Sequence, residues 1–213
     1  MKWYLKNWAW VAVYLAAGIF LLAALGNWDF QTKLVLLALA LLQLHFFEEM
    51  DRPGGFPYMG LWAETGEKSQ NPRDWSLNNA SAAFGNEYFA VVVYGLALLF
   101  PKQAWLLLAV FIFSFVELAM HGIFFTVKIK NWYNPGLVTA CLLSLVSVVF
   151  FLNTGLHFNI WDHVLAFAWI AFNYWLAFRS PLYQKLGQLK EYSFPAESMD
   201  RSRVIMKKVL RDK

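Results

Sequence analysis

Apolar residues run through this chain in six long blocks, at about 8 to 26, 33 to 51, 80 to 100, 104 to 126, 136 to 153 and 160 to 178. A helix needs about 20 predominantly apolar residues to cross the hydrocarbon core of a bilayer, and each block comes close to that length. Turn-forming residues separate them: Gly26-Asn27, Asp51-Arg52-Pro53-Gly54-Gly55, Pro101, Asn134-Pro135-Gly136 and Asn153-Thr154-Gly155. The pattern predicts an all-α polytopic membrane protein, a bundle of about six transmembrane helices within residues 1–179, followed by a basic tail over 180–213. The first block has Lys2 and Lys6 before it, as a signal peptide would. No small-residue cleavage site follows, and five more apolar blocks do, so it reads as the first span.

Composition agrees with a lipid environment. Of 213 residues 59% are hydrophobic and 15% charged, more apolar surface than one soluble core of this size can hide. Trp3, Trp8, Trp28, Trp75, Trp105, Trp132 and Trp161 fall near the ends of apolar blocks, where indole rings collect at the headgroup level. Cys141 is the only cysteine and sits inside a block. This excludes a disulfide framework and a cysteine-based zinc site, and predicts a packed thiol.

The net charge of +4 is carried by loops and tail, not by an aromatic-studded soluble face, so it reads as membrane topology and not as nucleic-acid binding. With six spans, Lys and Arg divide sixteen to two between the two sides; Lys33 and Lys102 alone fall on the poorer side. The positive-inside bias therefore places both termini in the cytoplasm.

Charged groups inside a spanning helix cost a few kcal/mol or more each, so they mark functional sites or buried pairs. Here His45, Glu48 and Glu49 lie in the second block, Asn86 and Glu87 in the third, Glu117 and His121 in the fourth. His45 with Glu48 and Glu49 is an i, i+3, i+4 set, and Glu117 with His121 is i, i+4, so each helix presents one polar stripe. Counted from the block ends at 1.5 Å per residue, all of them fall within roughly 15 Å of the cytoplasmic surface. Asn86, Asn134 and Asn173 are candidate substrate-binding or supporting residues at the same level, although a turn or cap role for Asn134 and interhelical hydrogen bonds for Asn86 and Asn173 are the favoured readings. His157, Asp162 and His163 belong to the opposite end of the bilayer.

Two His and four Glu on three helices match the ligand inventory of carboxylate-bridged dimetal sites in helical bundles, though not their Glu-x-x-His order. A mononuclear site of His45, Glu49, Glu117 and His121, leaving Glu48 or Glu87 as a base, uses the same residues. Imidazole and carboxylate donors suit a divalent metal, iron or zinc, with manganese also possible, as one or two ions. Clustered carboxylates in low dielectric require positive charge or bound protons. The metal-free alternatives are thus an acid–base isomerase or cyclase, a proton-coupled transporter, or salt bridges that only join helices.

The run His45-Phe46-Phe47-Glu48-Glu49 resembles the signature of the HXXEE family, multi-span bacterial membrane proteins of generally unassigned function. Glu87, Glu117-x-x-x-His121 and Asn134-Pro135-Gly136 support the likeness over spans two to six. The resemblance implies a shared polar site in a bacterial inner membrane protein and brings no reaction with it. A more distant likeness, of general design alone, is to EXPERA-type sterol isomerases, which use intramembrane acids without metal.

The loop from about 52 to 79 follows His45 to Glu49 and contains Pro53, Phe56, Pro57, Tyr58, Met59, Leu61 and Trp62. It is expected either to cover the site as a lid or re-entrant segment or to lie in the headgroup layer. Arg201 to Lys213 alternates basic groups with Val204, Ile205, Met206, Val209 and Leu210, as an interfacial amphipathic helix on anionic phospholipid would. A site at headgroup depth points to a lipid, isoprenoid or other amphiphilic small-molecule substrate. No Gly-rich phosphate loop, serine nucleophile elbow or Asp-rich prenyl-diphosphate motif is present, which counts against kinases, esterases of the common soluble type and prenyltransferases, and no nucleotide cofactor is expected. The chemistry left is metal-assisted oxidation or hydrolysis at His45, Glu48, Glu49, Glu87, Glu117 and His121, with Glu48 and Glu87 as candidate catalytic carboxylates.

Overall fold

A computed structural model describes residues 2–210, and among these the chain is helical with no strand. The long helices are α1 (Lys2–Leu25), α2 (Phe30–Met50), α4 (Asn79–Leu99), α5 (Ala104–Ile129), α6 (Leu137–Asn153) and α7 (Ile160–Phe178). They coincide with the six apolar blocks. Between α2 and α4 lies the short α3 (Phe56–Thr65), and after α7 come α8 (Pro181–Gly187), a 3-10 turn (Lys190–Tyr192), α9 (Ala196–Ile205) and α10 (Lys207–Leu210). Arg211 and Lys213, counted above with the basic tail, lie outside the described residues.

By length and apolar character four helices, α1, α2, α4 and α5, are able to cross a membrane. The helix α6 is equally apolar but has 17 residues. The helix α7 has 19 and carries Asp162, His163 and Asn173. Apolar side chains project outward over much of the bundle: Leu21 and Leu25 of α1, Leu145 and Leu152 of α6, and Phe167 and Phe172 of α7 are all more than half exposed. That surface suits lipid and not water.

Local chemistry sets the helix starts. Asp29 accepts from Thr32 N–H at 2.8 Å before α2, and Asn78 forms a capping box with Ser81 before α4. Asn159 and Asp162 form another at α7, so Asp162 serves its own helix start, while His163 Nδ1 lies 2.9 Å from the Asn159 carbonyl. Small residues then allow close packing. Ala9, Ala12, Ala16 and Ala23 of α1 are buried in the α1–α2 hairpin. Gly85 of α4 lies so close to the Ala177 carbonyl of α7 that a methyl group would overlap it. Across α5 and α6, the Phe111 and Phe150 rings stack at 3.8 Å.

Three expectations are corrected. Trp8 and Trp75 are each 1% exposed and are interior groups, not headgroup anchors; the Trp75 indole is bonded to the Ser69 carbonyl at 2.8 Å and stacked on Tyr58. Cys141 is exposed, because it shares the outward face of α6 with Val138 and Leu145, and an all-apolar helix does not announce which face turns inward. The tail does not lie free as an amphipathic helix: Met199, Met206 and Val209 are buried within the protein, and α9 packs on α3. Ser202 Oγ donates to the Gly55 carbonyl at 2.6 Å, and Arg201 pairs with Asp51 at 3.1 Å. Of the apolar tail positions, Met206 and Val209 thus meet an intramolecular surface, while Val204 stays exposed.

Candidate metal centre

The end of α2, the middle of α5 and the start of α6 meet at one point. His45 Nε2 lies 3.6 Å from Glu49 Oε1 and 3.5 Å from Glu117 Oε2. His121 Nε2 lies 3.2 Å from the same Glu49 oxygen and 3.7 Å from the same Glu117 oxygen. Two nitrogens and two oxygens therefore alternate around a ring, and the two imidazoles stand perpendicular with centroids 4.9 Å apart. The donor atoms of His45, Glu117 and His121 all lie within 4.8 Å of one another.

The imidazole tautomers follow from the outer contacts. His121 Nδ1 is 2.7 Å from Asn134 Oδ1, an acceptor. The orientation of that amide is set by its nitrogen, which donates to the His121 carbonyl at 2.8 Å and to Thr126 Oγ1 at 3.2 Å. His45 Nδ1 is 2.9 Å from Thr139 Oγ1, whose own proton goes to Glu48 Oε2 at 2.6 Å. Both rings thus carry a proton on Nδ1 and turn Nε2 toward the carboxylates, where it offers a lone pair to a cation or, as imidazolium, carries a second proton. Lone pairs on nitrogen and oxygen at these distances repel unless a cation or protons lie between them. A tetrahedral ion with bonds of about 2.0–2.2 Å has donors about 3.3–3.6 Å apart. The four nitrogen–oxygen contacts bracket that spacing, while the donors that all lie within 4.8 Å of one another are those of His45, Glu117 and His121, with Glu49 outside that group. His45, Glu117 and His121, with each imidazole held by an outer partner on Nδ1, fit a divalent ion, and Glu49 stands beside them against both imidazoles.

The backbone prepares this arrangement. The fifth helix widens to a π turn over Met120–Phe125, a distortion frequent at functional sites. His121 lies in that turn, and its carbonyl accepts from Asn134 and from Thr126 Oγ1. Gly136, at φ +100°, backs onto the His121 ring so closely that any Cβ would overlap it. Phe56 of α3 covers the same imidazole, with centroids 5.5 Å apart.

Of the sequence candidates, His45, Glu49, Glu117 and His121 come together. Glu48 points the other way and caps α6, accepting from Thr139 N–H at 2.9 Å, Val138 N–H at 3.3 Å and Tyr133 O–H at 3.2 Å. The N-terminal cap of that helix, Gly136, has no side chain for the purpose, so a carboxylate from α2 fills the role. Burial and the Glu48 charge hold the Tyr133 phenol above its ordinary pKa, which keeps it a donor. Glu87 lies apart from the ring and accepts from Gln43 at 3.1 Å. Asn86 lines the cavity beside the ring. Asn173 is buried between Tyr88 and the Trp169 carbonyl.

Sequence reasoning missed Thr139 and Tyr133. Their only signal was proximity to Asn134-Pro135-Gly136: Thr139 stands in the first turn after the glycine, where a hydroxyl can face the preceding helix.

A cavity of about 170 Å³ opens beside the ring, walled by Phe46, Phe89, Phe113, Met120 and Phe178 and covered by α3. At its mouth Glu64 of α3 pairs with Arg179 at 2.9 Å. The loop at 52–79 therefore does cover the site, through α3.

No curated protein and no solved structure matches the chain. The family described as protein of unknown function with HXXEE motif matches residues 36–151, just over half of the chain. That stretch runs from α2 to α6 and holds every residue of the ring together with Glu48, Asn134, Gly136 and Thr139. The chain belongs to the HXXEE family.

Proposed function

We propose that this protein is a membrane-embedded metalloenzyme that holds one divalent ion, zinc or iron, between His45, Glu49, Glu117 and His121. In this reading six helices span a bacterial inner membrane, both termini are cytoplasmic, and the centre lies in the cytoplasmic leaflet. The observation that carries the reading is the alternating ring of four contacts at 3.2–3.7 Å, with each imidazole held by a partner on Nδ1. Two neutral imidazoles and two carboxylates balance a divalent charge. When bound, such an ion supplies Lewis acidity toward a substrate oxygen or acidifies water, for hydrolysis or oxidation.

The protein's own residues do the rest. Glu48 and Thr139 orient His45, and Asn134 orients His121. The amide of Asn86, on the cavity wall, is available to a substrate oxygen. Phe56 and α3 exclude water from the ring. The apolar walls select an amphiphilic substrate.

Elemental analysis of the purified protein, repeated on His45→Ala and Glu117→Gln, tests this. One equivalent of zinc or iron, lost in both variants, is the expected result. Two equivalents of iron would replace the mononuclear site with a dimetal one. No metal in any preparation overturns the proposal in favour of metal-free acid–base chemistry, for which the 3.2 Å contact of His121 with Glu49 is already a suitable proton path. Flux in proteoliposomes without substrate conversion would favour transport.

A further inference from the structure

The cavity is layered along its axis. The helices α2 and α5 end on the side where α4 begins, so Leu42, Phe113 and Phe89 lie one turn deeper than the ring and form an apolar floor. The ring and Asn86 occupy the middle. Among the lining residues Glu64, Tyr174 and Arg179 are exposed and Tyr183 partly so, and this group is the mouth.

The mouth is rich in donors. Among the described residues, Arg179 is the one Lys or Arg that lines the cavity. Of its five N–H groups, one is given to Glu64 at 2.9 Å and one to the Phe178 carbonyl at 3.1 Å. The guanidinium side chain is 48% exposed and lies over the Tyr174 ring at 5.8 Å. Burial pushes the Tyr183 phenol up to about 12, so it stays protonated. Glu64 and Arg179 neutralise each other, and the Glu49 and Glu117 carboxylates deeper in the cavity face the imidazoles. What the mouth still offers a ligand is the three remaining N–H groups of Arg179, which match oxygen acceptors.

Size and wall chemistry narrow the remainder. A void of about 150 Å³ lined by apolar groups accommodates a benzene ring, and this cavity is slightly larger at about 170 Å³. A long acyl chain would extend out through the mouth. Eight of the lining residues are Phe or Tyr, and such walls favour aromatic guests through edge and offset contacts.

We infer that the cavity takes a single-ring aryl-alkyl acid, with its ring on the floor of Leu42, Phe89 and Phe113 and its anionic oxygens on Arg179. The inference rests on the reading of this cavity as the substrate site, and it names the substrate class. The short linker between ring and acid group then passes Glu117 and His121, where the chemistry would act.

Ligand-observed NMR on the full chain in detergent tests this with 3-phenylpropionate, its neutral amide, 2-phenylethylamine and octanoate. Saturable binding of 3-phenylpropionate, about tenfold tighter than the amide or the amine, is expected from a charge-assisted pair. Octanoate should bind more weakly than the aryl acid. Arg179→Gln should remove the preference for the acid over the amide, and Arg179→Lys should restore part of it. Equal binding of acid and amide, or a preference that survives Arg179→Gln, overturns the anion assignment; octanoate binding as well as the aryl acid overturns the ring assignment.

The measurements are repeated after dialysis against EDTA, which separates this inference from the metal reading. A preference kept in the metal-free protein supports Arg179 as the anchor, whether or not an ion binds. A preference lost with the ion but insensitive to Arg179→Gln puts the acid on the ring, and overturns the inference while supporting the metal.

Discussion

The Thr139 hydroxyl donates to the Glu48 carboxylate at 2.6 Å, and the same oxygen receives the Nδ1 proton of His45 at 2.9 Å. One oxygen therefore links two members of the His-x-x-Glu-Glu run through a residue on another helix. The two glutamates have separate tasks. Glu49, one full turn from His45, joins the ring, whereas Glu48 turns aside to hold α6 and, through Thr139, the imidazole.

Replacing Glu48 with Gln keeps the shape and removes the charge. The new amide nitrogen would take the place of one carboxylate oxygen and face either Val138 N–H or Thr139 N–H, which bond different oxygens of Glu48, leaving that buried donor unpaired at about 1–3 kcal/mol. A lower thermal midpoint is expected, with metal affinity reduced about 10–100-fold, as for other losses of an outer partner. Stoichiometry at saturating metal should stay at one. Thr139→Val should weaken affinity in the same direction with less effect on stability, and Thr139→Ser should recover it. A chelator-competition titration on the four proteins checks this; unchanged affinity in Glu48→Gln would remove the outer role argued for Glu48.

Gly136 offers a steric test of His121. A methyl group there would overlap the imidazole, and the backbone at φ +100° is one that L residues rarely adopt. Gly136→Ala should cost about 2 kcal/mol or more and release most of the bound ion. Gly122→Ala is the control, since its added Cβ meets Leu118 and Leu137 at 3.7–3.9 Å, ordinary contact distances. It should lie within about 0.5 kcal/mol of wild type. Thermal unfolding in detergent and metal content are the two readings, and equal behaviour of the two alanines would refute the close fit.

The helices and the four ring residues were legible because both depend on strong local signals. Apolar runs bounded by Gly, Pro and Asn set the elements, and His45/Glu49 and Glu117/His121 share a face by i, i+4 spacing. The separation of Glu48 and Glu87 from the ring was not legible. Glu48 is three residues from His45 and passes the same face test, and only the entry of α6 from the side decides that it is a cap. Glu87 lies at the right depth, but on α4 Asn86, its neighbour, is the one that reaches the cavity. Depth and spacing constrain position along a helix; rotation about its axis depends on partners distant in sequence. Cys141 and Trp8 were misread for the same reason.

Glu87 tests that distinction directly. Its side chain is bonded to Gln43 and away from the ring, so Glu87→Gln should bind the ion with wild-type stoichiometry and affinity. Glu49→Gln and Glu117→Gln should each lose most of it, because each carboxylate oxygen contacts both imidazoles. Metal analysis after one purification protocol for all three variants is sufficient. Loss of metal in Glu87→Gln would return that residue to the ligand set.

The cover over the site depends on the tail. The lid helix α3 turns Phe56 toward His121, and the segment before it is gripped from outside by α9. Arg201 pairs with Asp51, and Ser202 Oγ bonds the Gly55 carbonyl at 2.6 Å. Arg203 by contrast is exposed and bonded to Asp200 and Gln70, a rim contact of small worth. Local opening of α3 should therefore become easier when Arg201 and Ser202 are replaced by Ala, by about 1–2 kcal/mol, or roughly 5–30-fold in open population. Cleavage within 52–78 by a soluble protease, and extraction of the ion by EDTA, should both accelerate by that factor. Arg203→Ala should change neither by more than about twofold. If the double variant loses its ion no faster than Arg203→Ala, the tail does not hold the lid, and the route to the ring lies elsewhere than beneath α3.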